Sequence, residues 1–72
     1  MVQSNKTISF AEAVDIALEF VMKKGGYNSP KIEKVTFNEE TKKWEVEIDV
    51  GFVANIIKKV IIGQNGEVAG FG

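Results

Sequence analysis

Seventy-two residues make one small domain, with no room for a second core. Cysteine and histidine are absent and all nine basic residues are lysine, which excludes disulfides, thiolate zinc sites, the commonest general base and the bidentate guanidinium fork. A net charge of -1 and a pI near 5.3 provide no bulk attraction to nucleic acid, and packing or self-association must supply the stability that staples supply elsewhere.

Residues 1–8 read as a polar tail and helix lead-in, and residues 9–72 as a single domain. The opening "MVQSNKTISF" lacks the apolar run of a signal peptide, and no stretch approaches the ~20 apolar residues of a membrane span. The expected location is the cytoplasm, or outside it if a signal peptide has been removed.

"SFAE" at Ser9 to Glu12 has capping-box spacing, and "GG" at Gly25 and Gly26 supplies a left-handed stop, so a helix is predicted over about residues 10–24. On a helical wheel Glu12, Asp15, Glu19 and Lys23 crowd into a polar stripe. Phe10, Ala13, Val14, Ala17, Leu18 and Val21 form the apolar face, widened by Ile16 and Phe20 on one flank and by Ala11 and Met22 on the other. That arc is wider than a surface helix needs, so a curled sheet or a second surface must cover its flank.

"YNSP" is a loop, and "KIEKVTF" from Lys31 begins the first strand. "NEETK" at Asn38 to Lys42 reverses the chain, and "KWEVEIDV" alternates as the second strand. Closing this hairpin with Phe37 opposite Trp44 places Val35 against Val46 on the inner face and Lys34 against Glu47 on the outer. "GFVAN" is a turn or bulge. In "IIKKVII" at Ile56 to Ile62, Val60 and Ile62 are assigned inward and Lys59 outward, which leaves Ile57 and Ile61 on the outer face. "NG" at Asn65 and Gly66 is a hairpin turn before a short last strand, "EVAGF". The expected class is α+β, with one N-terminal helix packed on a three- to four-stranded antiparallel β-meander.

The helix with Ala13, Ala17 and Leu18, the aromatic Trp44 after the hairpin turn, and "QNGEV" at Gln64 to Val68 together resemble the PepSY domain. A similar layout occurs in the gas vesicle accessory protein O family. The PepSY resemblance covers most of the chain from Ser9 onward and implies a small, non-catalytic domain with an inhibitory or regulatory binding role.

Candidate chemistry is sparse. Glu45, Glu47 and Asp49 form an acidic ladder, but alternate strand residues are ~6.6–7 Å apart, no calcium-loop spacing is present, and Lys34 and Lys59 would compete with a cation. The ladder reads as a solvated, charge-paired face, and no metal or cofactor is expected. The hydroxyls of Ser4, Ser9, Ser29, Thr7, Thr36, Thr41 and Tyr27 have no histidine to activate them, so no catalytic residue is assigned and no enzyme is expected. Nucleic-acid stacking is disfavoured because the exposed sheet face is acidic and Phe10, Phe37 and Trp44 read as core.

The remaining candidate is an association surface made of Ile57, Lys59 and Ile61 with the Ile16 and Phe20 flank of the helix. The expected function is a protein-interaction or regulatory module acting through its sheet face or edge, as a homodimer or with another protein. The alternative is a small carrier that binds an apolar ligand between helix and sheet.

Overall fold

A computed structural model describes residues 7–51 and 53–72. Residues 1–6 of the polar tail, and Phe52 of "GFVAN", lie outside the described residues. Helix α1 spans Phe10–Lys23, followed by strands β1 (Lys31–Asn38), β2 (Lys43–Asp49), β3 (Ile57–Ile62) and β4 (Val68–Phe71). The strands form one antiparallel sheet in the order β1-β2-β3-β4, with α1 packed on one face, so the fold is α+β.

The helix starts where its cap is complete. The Ser9 hydroxyl accepts from the Glu12 N–H at 3.2 Å, and the Glu12 carboxylate accepts from the Ser9 N–H at 2.7 Å. At the other end Gly26 alone takes the left-handed conformation, with φ 76°, and the Tyr27 N–H returns to the Val21 carbonyl. Gly25 contributes closeness instead, because a Cβ there would lie 2.8 Å from the Val21 carbonyl oxygen and 3.0 Å from the Tyr27 ring.

The hairpin register is Phe37 opposite Trp44, Val35 opposite Val46 and Lys34 opposite Glu47. Between β2 and β3, Trp44 faces Ile62, Val46 faces Val60 and Glu47 faces Lys59. Val60 and Ile62 therefore point inward and Lys59 outward, as the sequence implies. The inner residues Val46, Ile48, Val60 and Ile62 are fully buried against a stripe of small residues on the helix, Ala13, Ala17 and Val21. Small side chains on that stripe bring the helix axis close to the sheet. Each buried isoleucine contributes roughly 1.5–3 kcal/mol of transfer free energy.

Phe10 departs from the core assignment: it is 58% exposed and meets the edge of Trp44 from outside, with ring centroids 6.3 Å apart. Trp44 is itself half-buried and stacks edge-on with Phe37 at 5.1 Å. The core is thus narrower than the apolar arc of the helix, and the larger side chains on its flanks lie at the rim.

Both outer strands carry irregularities. In β1 the register shifts between Ile32 and Lys34, so Glu33 is an extra residue and Ile32 and Val35 both share the inner face with their partners Ile48 and Val46. In β4 the shift lies opposite Ile61 and Ile62, so Ala69 is extra and both Val68 and Phe71 turn toward the helix. The β3–β4 connection is a three-residue loop: Gly66 N–H bonds the Gly63 carbonyl at 2.9 Å, Gly63 N–H bonds Glu67 at 2.8 Å, and Gly66 has φ 91°.

Candidate interaction surface

The five residues expected to form one surface fall on opposite sides of the sheet. Ile57, Lys59 and Ile61 lie on the outer face, opposite Asp49, Glu47 and Glu45 of β2. Ile16 and Phe20 lie on the helix side, against β4. A single patch would require them to share a face, and the intervening sheet prevents it.

The outer face is a charge lattice rather than an apolar patch. Glu45 accepts from the Asn38 side-chain amide at 3.0 Å and from Lys59 Nζ at 3.4 Å. The Asn38 bond, helped by Lys59, holds the Glu45 carboxyl below its ordinary range. Asp49 has a different task. Its carboxylate accepts from the backbone N–H groups of Gly51 at 2.9 Å and Ile56 at 3.3 Å, and from the Asn55 amide at 2.7 Å. Those backbone donors lower its pKa. It thereby cinches the β2–β3 loop, whose neck is closed by a bond from Val50 N–H to the Ile56 carbonyl. Two of the three ladder carboxylates are therefore committed to structure. No group of three His, Cys, Asp or Glu among the described residues is placed to hold a metal ion. Ile57 is 44% exposed in this lattice, and Ile61 leans over Gly70 of β4.

A polar depression lies at the hairpin-turn end, lined by Thr7, Thr41, Lys42, Gln64 and Asn65 among others. Its charged groups, Lys42, Lys43 and Glu67, form no ion pair with one another, and it is built from turns whose hydrogen bonds are internal. Asn38, for instance, accepts from Glu40 and Thr41 N–H groups at 2.9 and 3.1 Å.

The apolar feature of the surface is the groove between α1 and β4. Ile16, Phe20 and Val68 line it, with Glu19, Lys23 and Lys24 at the rim, and its volume is about 250 Å³. Phe71, 40% exposed, stacks edge-on against Phe20 with centroids 5.3 Å apart. Beside this groove runs a free sheet edge, for among the described residues no strand lies beyond β4. Gly72 and Lys59 exchange both backbone hydrogen bonds, at 3.0 and 3.4 Å. The alternation of an antiparallel ladder then turns the Phe71 N–H and C=O away from β3, and the same alternation after the Gly63–Glu67 bond turns Val68 outward. One side chain and one backbone edge of each of these residues are thus presented together.

Sequence reasoning placed Ile16 and Phe20 at a surface but missed Val68, Phe71 and Lys24. The signal was present in "VAGF": two apolar residues three apart break strand alternation, Gly70 and the preceding Asn65–Gly66 turn disfavour a helix, and the combination marks a bulge. No helix among the described residues is long and apolar enough to cross a membrane. No known protein family, characterised protein or solved structure matches this chain.

Proposed function

We propose that this chain is a non-catalytic protein-interaction module that receives an extended segment along the free edge of β4. The observation that carries the reading is the pairing of outward backbone groups at Val68 and Phe71 with an apolar groove formed by Ile16, Phe20 and Val68. Strand addition uses both elements: the edge supplies main-chain hydrogen bonds, and the groove takes alternate side chains of the incoming segment. The PepSY-like pattern of the sequence points the same way, toward a small binding domain without chemistry of its own.

The carrier alternative draws less support. The layer between helix and sheet is filled by Ala13, Ala17 and Val21 against Val46, Ile48, Val60 and Ile62, all fully buried. The open groove at its side is smaller than the ~300–1,000 Å³ of sites that enclose small molecules.

The test is selection of displayed peptides against the folded chain. Binders should be extended, with two apolar residues three apart to match the bulged edge, and should lose affinity to a Phe20→Ser variant that keeps its circular dichroism. Binders that compete instead with substitutions at Ile57 and Ile61 would overturn the assignment of the surface.

A further inference from the structure

We infer that the segment received by β4 is a second copy of β4, paired antiparallel so that Val68 of each copy lies opposite Phe71 of the other. The inference rests on the strand-addition reading above and names its partner.

The first argument is spacing. A regular strand presents outward hydrogen-bonding residues at every second position. Because Ala69 is an extra residue, the outward residues of β4 are Val68 and Phe71, three apart. A regular strand can match one of them but not both, which is how a bulge ordinarily blunts an edge. A second β4 carries the same spacing and, related by a two-fold axis between Ala69 and Gly70, matches both at once. The contact is then isologous, with each copy giving what it receives.

The second argument is the charge of the strip. Val68, Ala69, Gly70 and Phe71 are uncharged and oppose nothing in a second copy. Antiparallel pairing in this register sets Glu67 opposite Gly72, whereas parallel pairing would put Glu67 beside Glu67. By contrast, the β1 edge carries Lys31, Glu33 and Lys34.

The experiment is sedimentation equilibrium from low micromolar to millimolar concentration on two molecules: the chain itself, and the chain made by total synthesis with an N-methyl group on the Phe71 amide. The Phe71 N–H is unused within one copy, so N-methylation leaves the fold intact, as circular dichroism will verify. It removes two hydrogen bonds per dimer and should weaken dimerisation about 30-fold. A dimer indifferent to N-methylation would overturn both this inference and the strand-addition reading. A chain monomeric throughout, yet binding selected peptides that N-methylation releases, would keep the reading and overturn the second copy as partner. A monomer without such binders would overturn both.

Discussion

Replacing Gly51 by alanine tests the β2–β3 loop directly. A Cβ on Gly51 would overlap the Ala54 carbonyl oxygen and lie 2.8 Å from the Ala54 carbonyl carbon and 2.9 Å from the Ile56 nitrogen. All three are backbone atoms, and the Ile56 nitrogen is held in turn by Asp49. No rotamer change relieves the overlap, so the loop must open or shift. Forced repacking of this kind costs about 1–3 kcal/mol. A gain of ~0.4–1 kcal/mol from a stiffer unfolded chain offsets part of it, leaving a net loss of about 1 kcal/mol. At ~0.05–0.15 kcal/mol per residue, a chain of this length has roughly 4–11 kcal/mol in total. With a urea slope near 1 kcal/mol/M for so small a domain, the midpoint should fall by about 1 M at unchanged slope. Gly63→Ala is the control, because its Cβ would meet the Asn65 side-chain oxygen at 3.1 Å, an atom that can move. An unchanged or higher midpoint for Gly51→Ala would refute the tight loop, and with it the role given to Asp49.

Three further outcomes are expected. Lys42 is the only described non-glycine residue with positive φ, at 61°, so Lys42→Gly should raise stability by up to ~1 kcal/mol in chemical denaturation; a loss would mean that its 3.6 Å contact with Glu39 outweighs the backbone. Ser9→Ala should cost about 1 kcal/mol through the lost cap and lower helical circular dichroism; a neutral result would show that Glu12 holds the helix start alone. Because the Asp49 and Glu45 carboxyls are held below their ordinary values when folded, their contribution is present at neutral pH and is lost as pH falls below about 4.5. Thermal midpoints should therefore decline in that range, and Asp49→Asn should flatten the decline; identical acid profiles for the two chains would contradict the assigned bonds.

The fold was legible wherever local chemistry and hydrophobic period agreed. Ser9 and Glu12 marked the helix start, strict alternation from Trp44 to Ile48 marked the central strand, and a choice of parity at Val60 and Ile62 set the third. The bulges were harder to see. Ile32 and Val35, like Val68 and Phe71, are three residues apart, and only the neighbouring strand decides which residue between them is extra. The candidate site depended on those bulges. Without the Ala69 bulge, Phe71 has the parity of an outer-face residue, and the groove beside Phe20 has no second aromatic wall. The exposure of Phe10 was likewise hidden, because a wheel gives angle and not distance along the sheet: Phe10 sits one turn before Ala13, where the buried stripe begins.

The neighbour-to-neighbour order of the strands also has a kinetic consequence. Every strand pairs with the next one in the chain, across connections of four, seven and five residues read from the strand bounds, so each closure spans little chain. Such low contact order favours folding without long-lived intermediates. The β1–β2 hairpin, with its aromatic pair and Asn38-braced turn, can form before anything downstream of it exists. On a growing chain β4 would come last of the four. Its edge would be exposed to partners only when the helix flank and the first three strands were already in place, which limits mispairing between unfinished chains.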